Sequence, residues 1–353
     1  MTLFLIQHTI SAVKRFFEIL LSYAFVLLLP VCVVSCSKKA DTQPKKAEFF
    51  TYFDTVVSVY SYADENNTEF EKNTEDLKMI FDRYNRLLDI YNSYSGINNL
   101  CTINENAGKE PVEVDYDLIE FLLWAKKMYE TTGGETDITM GSVLSLWHDA
   151  RYADIHYLPD ADALKEASLH TGFDKLEINE LQHTVLIKDP YSSLDAGALG
   201  KGYAAEKAAQ YLEEKGIDSY VLNLGGNVRL IGSKPGKEDW VVGIKDPSDP
   251  GNIAVKISCS NTSCVTSGAY ERYFEFNGVR YSHVIDRDSL FPSANFESVS
   301  VITQDSGLAD ALSTALFCMS YEDGLVLVQS LQVQCIWIFN DGSVKYTDGL
   351  KIC

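Results

Sequence analysis

The pair with the clearest chemical potential in this chain is a carboxylate and a hydroxyl four residues apart. In Asp310-Ala-Leu-Ser-Thr314 both project from one face of any helix that contains them. They are hard oxygen ligands of the kind Mg²⁺ takes while keeping waters or substrate phosphates in its other positions. The same residues would also serve as an acidic group answering a helix dipole and a Thr bonded to its own backbone. Spacing alone leaves both readings open. A second constellation is Asp195-Ala-Gly-Ala-Leu-Gly-Lys-Gly-Tyr203, with Lys201 and three glycines ahead of a predicted helix. Backbone N–H groups at a helix N-terminus favour phosphate, and glycine lets the backbone come close. It is not a G-x-x-x-x-G-K-[ST] loop, because the first spacing is shorter and no hydroxyl follows the lysine. The alternative is a glycine-rich turn that packs a helix on a sheet.

Four further segments carry polar groups at turns or strand ends. Tyr281-Ser-His-Val-Ile-Asp286 reads as part of a strand, with His283 a proton-transfer candidate at neutral pH. His283 and Asp286 would face opposite sides of that strand, which argues against a direct relay. Val265-Thr-Ser-Gly268 reads as a hydroxyl-rich turn, and Gly133-Gly134 precedes Glu135, Thr136, Asp137 and Thr139. Asn223-Leu-Gly-Gly-Asn227 is a strand end open to close approach. A serine hydrolase built on Ser267 and His283 lacks both a G-x-S-x-G motif and a third member.

These groups need a scaffold, and the composition supplies one. The chain has 353 residues, 46% of them hydrophobic, so it is not disordered by composition. Its formal net charge of −20 repels nucleic acid and anionic lipid. Any nucleotide site must therefore bring its own positive charge, from a metal, a lysine or a helix N-terminus. Strands are predicted at Thr55–Tyr62, Leu176–Ile178, Thr184–Ile187, Ser219–Leu224, Trp240–Ile244, Ile253–Ser258 and Ser298–Thr303. Two hairpins follow from Asn277-Gly278, between Tyr273–Phe276 and Arg280–Ile285, and from Asp341-Gly342, between Ile336–Phe339 and Val344–Tyr346. Helical spacing marks Thr74–Ile90, Asp117–Thr131, Asp160–Leu169, Gly202–Lys215 and Ser306–Met319. Adjacent hairpins with interspersed helices predict an α+β fold rather than a doubly wound parallel sheet.

The N-terminus reads as an address. Lys14 and Arg15 precede Phe16 to Val34, apolar apart from Glu18, Ser22 and Tyr23. Ile19 to Val34 would span about 24 Å as a helix, short of a bilayer's ~30 Å core. Residues 1–35 are read as a secretory signal. Val33-Val34-Ser35-Cys36 resembles a bacterial lipobox, with Cys36 the lipidated residue. Residues 36–47 are a polar tether and 48–353 a single domain. Export would permit disulfides, with Cys259 and Cys264 one possible pair, whereas Cys318 reads as a buried hydrophobe.

Taken in order, DAGALGKGY, NLGGN, VTSG-x-YERYF, YSHVID and DALST resemble the ApbE family of FAD:protein FMN transferases, as do TVVSVY and TGGETDITMGSVLSLW. The resemblance spans about residues 49–350. It implies a T-fold-related domain of antiparallel sheets with packed helices. It implies a Mg²⁺ site from Asp310, Thr314 and the Ala198 carbonyl, with Ser313 nearby. Phe53, Glu135, Thr136, Asp137, Asp195, Lys201 and Ile285 would line the FAD site, with His283 the catalytic proton-transfer group. The implied reaction moves FMN from FAD to a Ser or Thr hydroxyl and releases AMP. The implied acceptors are flavoprotein subunits of membrane electron-transfer complexes, and the implied location is the outer face of a bacterial membrane. An FAD pyrophosphatase or a non-catalytic flavin-binding lipoprotein would use the same site. The chain departs from the family pattern at Asp54, where Gly is usual, at Asn98, Asn227 and Ala269, and across Asp286-Arg-Asp-Ser-Leu-Phe-Pro292.

Overall fold

The computed structural model describes residues 43–249 and 251–353. The expected signal segment, Cys36 and most of the tether lie outside the described residues. The strands run β1 (Lys45–Tyr52), β2 (Thr55–Ser61), β3 (Val112–Glu113), β4 (Leu176–Asn179), β5 (Thr184–Ile187), β6 (Tyr220–Leu224), β7 (Asn227–Ile231) and β8 (Trp240–Lys245). They continue with β9 (Ile253–Cys259), β10 (Ser263–Gly268), β11 (Tyr273–Phe276), β12 (Val279–Ser282), β13 (Ser298–Thr303), β14 (Gln334–Ile338) and β15 (Val344–Tyr346). The helices are α1 (Asn67–Leu87), α2 (Leu100–Glu105), α3 (Tyr116–Thr131), α4 (Gly141–Tyr152), α5 (Ala161–Ser168), α6 (Gly200–Glu214), α7 (Ser306–Cys318) and α8 (Tyr321–Leu331).

The main sheet has eight antiparallel strands in the order β1-β2-β6-β7-β10-β13-β14-β15. Its strands alternate inward and outward residues with period two. Val299 and Val301 of β13 join the core under α7 and α8, while Ile302 faces a second apolar layer closed by Ile244, Val255 and Ile257 of the β8–β9 hairpin. A larger core lies between α1, α3, α6 and the β2–β6 half of the sheet. The α+β expectation is met.

Local chemistry explains where elements depart from expectation. α1 starts at Asn67, not Thr74, because Asn66 and Glu69 form a capping box. β1 starts at Lys45, inside the expected tether; an edge strand tolerates lysines. Val265–Gly268 is not a turn but the inner part of β10, and β12 stops at Ser282, leaving His283 beyond the strand. α4, α8, β1 and β7 were not anticipated. Cys259 and Cys264 are free thiols, and Cys318 is buried in α7.

Candidate active site

The two candidate loops meet where α6 and α7 cross. A Cβ on Gly202 would lie 2.4 Å from Asp310 Cβ and 2.6 Å from the Ser306 carbonyl oxygen, so only glycine allows this approach. α6 begins at Gly200 with Leu199 at its cap, and no side chain of that cap bonds its free N–H groups. Lys201 and Gly202 therefore belong to the first turn rather than preceding the helix. Asp310 supplies the missing acceptor from α7: Gly202 N donates to its Oδ2 at 2.7 Å. The Ala198 carbonyl, which that amide would otherwise have answered, accepts no hydrogen bond among the described residues.

Asp310 is 5% exposed, and no cation lies within salt-bridge distance of it among the described residues. Burial pushes its carboxyl above the usual range, while the nearby Lys201 charge and the Gly202 N–H pull it back. The Thr314 hydroxyl makes no hydrogen bond among the described residues, whereas Thr74 and Thr132 donate to their own helices' carbonyls. A backbone-bonded Thr314 is thus ruled out. Among the described residues no three His, Cys, Asp or Glu side chains cluster, so a metal here would lean on hydroxyl and carbonyl oxygens beside Asp310. A buried carboxylate without a cation, a free hydroxyl and a free carbonyl fit a divalent ion that keeps positions open for water or phosphate. Ser313 stands apart from this set: its hydroxyl donates to the Asp310 carbonyl at 3.0 Å and lies 2.9 Å from Ser267 Oγ.

His283 sits in a bend after β12, held by Arg272. Its main-chain N–H donates to the Arg272 carbonyl at 3.0 Å, and its Nδ1 lies 3.1 Å from the same oxygen. A carbonyl only accepts, so Nδ1 carries the hydrogen and Nε2 keeps a free lone pair. Burial, and then the charges of Arg272, Lys201 and Arg151, push its pKa down to about 3. The imidazole is neutral at physiological pH, with Nε2 its open acceptor. Asp286 Oδ1 instead accepts from Ser289 N at 2.6 Å, so His283 and Asp286 form no relay. With Ser267 on Ser313 and His283 on Arg272, no hydrolase pair forms either.

The remaining predicted residues fall around this centre. Thr136 Oγ1 donates to the Ala311 carbonyl at 2.7 Å, tying the Gly133–Thr139 turn to α7 one residue beyond Asp310. Asp137 Oδ1 accepts from Thr139 N at 2.7 Å and from Thr139 Oγ1 at 2.6 Å, and burial raises its carboxyl. Glu135 is raised too, by burial and by Asp286 and Asp288. Asp195 donates its N–H to the Ile138 carbonyl at 2.7 Å, and its Oδ1 accepts from Gly197 N at 2.7 Å. Phe53 and Asp54 are the two-residue tip of the β1–β2 hairpin, both left-handed at φ 53° and 51°. Asn85 Oδ1 accepts from Phe53 N at 2.8 Å, and Arg272 Nη2 donates to the Asp54 carbonyl at 2.9 Å. Ile285 is buried in the apolar cluster that also holds Trp147 and Phe274, and it pairs with Pro292 in an isolated bridge.

The profile of the ApbE family matches residues 53–337. The chain is a member of the ApbE family. It is 37% identical to the FAD:protein FMN transferase of Treponema pallidum over 267 residues, covering 71% of this chain and 73% of that protein. A Klebsiella pneumoniae protein of the same name is 32% identical, with 69% and 74% covered. The solved structure of the ApbE protein from Thermotoga maritima superposes with a TM-score of 0.78 at 27% identity, covering 87% of this chain and 97% of that one.

Sequence reasoning on this ApbE-family chain did not single out Arg151 and Arg272, whose charges both act on His283. Tyr270-Glu-Arg-Tyr273 held a local hint, since it follows the Thr-Ser-Gly segment directly. Arg151 had no signal beyond a base near a helix C-terminus.

Proposed function

We propose that this chain transfers FMN from FAD to a Ser or Thr hydroxyl of an acceptor protein, releasing AMP. The observation that carries the reading is the set at the α6–α7 crossing, a buried Asp310 without a cation and a Thr314 hydroxyl and Ala198 carbonyl without hydrogen bonds among the described residues, beside Lys201 and a neutral His283. Asp310, Thr314 and the Ala198 carbonyl would hold Mg²⁺, which when bound neutralises charge on the pyrophosphate. Lys201 makes no ion pair or hydrogen bond among the described residues, and it offers its ammonium to the same phosphates. Phe53, Glu135, Thr136, Asp137 and Asp195 frame the dinucleotide. His283 Nε2 takes the acceptor's hydroxyl proton. The acceptor oxygen forms a bond to the FMN-side phosphorus, the bond from that phosphorus to the bridging oxygen breaks, and AMP leaves with that oxygen. The names of the relatives support the donor and the group transferred.

We further propose export and lipidation at Cys36, and acceptors among membrane electron-transfer flavoproteins. The lipobox-like sequence and the family resemblance support both. Lipid labelling of cells producing the Cys36→Ala variant tests the anchor: persistent label would remove it.

The decisive experiment incubates the full chain with FAD, Mg²⁺ and a Thr-bearing acceptor. A fluorescent acceptor band that survives a denaturing gel and disappears with EDTA is expected. AMP and free FMN without a labelled protein would make the chain a pyrophosphatase. Unreacted bound FAD would make it a carrier.

A further inference from the structure

Beside His283 lies a pair of arginines that the chemistry above leaves unused. Arg151, in the last turn of α4, and Arg272, just before β11, line a cleft of about 340 Å³ with Tyr152, Glu271 and Phe274. The two elements are locked together. Trp147 of α4 stacks on Tyr281 of β12, and its Nε1 donates to the Leu290 carbonyl at 2.9 Å. Arg151 is partly buried and has neither a carboxylate within salt-bridge distance nor a hydrogen bond among the described residues. Burial and the Arg272 charge work against its protonated form. Among the described residues the Arg272 guanidinium hydrogen-bonds only the Asp54 carbonyl, and Glu271 stays beyond salt-bridge distance of both arginines. In a chain of net charge −20, carboxylates to pair these two groups are abundant, yet none of the described ones does. The rim is aromatic: Tyr152 is 60% exposed and Tyr273 42%. Tyrosine and arginine anchors of this kind dominate protein–protein recognition.

We infer that this rim docks the acceptor protein, with Arg151 and Arg272 receiving carboxylates of an acidic segment beside the hydroxyl to be modified. The inference rests on the transferase reading and names the partner chemistry of that site. In that reading Lys201 and the divalent ion that the Asp310 set would hold answer the two charges of the pyrophosphate, which leaves the arginines for another anion. The acceptor hydroxyl must reach His283 Nε2. The ring is oriented by the Arg272 main-chain carbonyl, so a hydroxyl that reaches Nε2 arrives next to Arg272, which shares its cleft with Arg151. Guanidinium–carboxylate forks would then fix its register.

The test uses the full chain and three fluorescein-labelled synthetic peptides, identical but for two Asp, two Asn or two Lys flanking one Thr. Anisotropy reads peptide affinity and flavin fluorescence reads FAD affinity. The parent is expected to bind the Asp peptide about 10-fold more tightly than the Asn peptide. Arg151→Glu is expected to reverse the preference toward the Lys peptide, with FAD affinity within about twofold of the parent. Arg151→Lys, which keeps the charge, is expected to keep the preference. Equal binding of all three peptides by the parent would overturn the docking surface. So would a fall in FAD affinity parallel to that in peptide affinity, which would assign the arginines to the dinucleotide. Since binding is read without turnover, an unlabelled acceptor on the denaturing gel counts against transfer separately from these outcomes.

Discussion

Two clefts in this molecule differ in size and in how their charges are met. The larger, about 730 Å³, lies between α1 and the segments around Ile97 and Val114. Its cations are all answered: Lys78 by Glu75, Arg83 by Asp115, and Arg86 by Asp82. The smaller is lined by Arg151 and Arg272, which form no ion pair among the described residues; Lys201, whose charge acts on His283 and on Asp310, forms none there either, nor does Asp310. An unmet polar group costs free energy in the empty fold, so its persistence is the better guide to a ligand than volume.

That contrast can be broken in four places. His283→Asn should have the largest effect, lowering transfer by about 10²- to 10⁴-fold in a single-turnover assay while FAD still binds. The same variant tests the proton balance. The folded pKa of about 3 lies below the ordinary 6.5, so this residue's contribution is full above 6.5 and is lost as pH falls toward 3. Thermal melts between pH 4 and 7 should therefore be flatter for the variant; an unchanged slope would refute a neutral buried imidazole.

Asp310→Asn keeps an acceptor for the Gly202 amide and removes the charge. Without metal it should melt at or above the parent's temperature, because an uncompensated buried carboxylate is gone. Added Mg²⁺ should raise the parent's melting temperature and leave the variant's unchanged, with transfer reduced on the order of 100-fold. A variant that still responds to Mg²⁺ would move the metal elsewhere. Gly202→Ala drives a methyl into Asp310 and the Ser306 carbonyl and should cost about 1–3 kcal/mol in denaturant unfolding. The smallest effect belongs to the larger cleft. Lys78→Ala removes one exposed, answered charge and should change stability by less than about 0.5 kcal/mol and transfer by less than about twofold. A large loss there would end the comparison.

Local signals were legible in the sequence, and convergent ones were not. Asp310 and Thr314 stood out because i, i+4 spacing is a property of one helix. The Gly/Lys loop stood out because glycines punctuate the chain. Val265–Gly268 hid as a turn because Thr266 and Ser267 answer polar partners, Ser300 in the sheet and Ser313 on α7. α4 starts at Gly141 without a side-chain cap at Met140, so no start signal marked it. Lys45 and Lys46 disguised an edge strand as tether. The arginine pair was invisible because only the docking of α4 on the β11–β12 hairpin brings it together.

One amide carries a report of the whole site. The Gly202 N–H points at a buried carboxylate rather than a helix carbonyl, a charge-assisted bond at 2.7 Å. Its proton resonance should lie downfield of the other glycines and move when Asp310 gains a proton or a cation. A ¹⁵N-glycine sample would then display occupancy of the site as the position of one peak, in the full chain and without turnover.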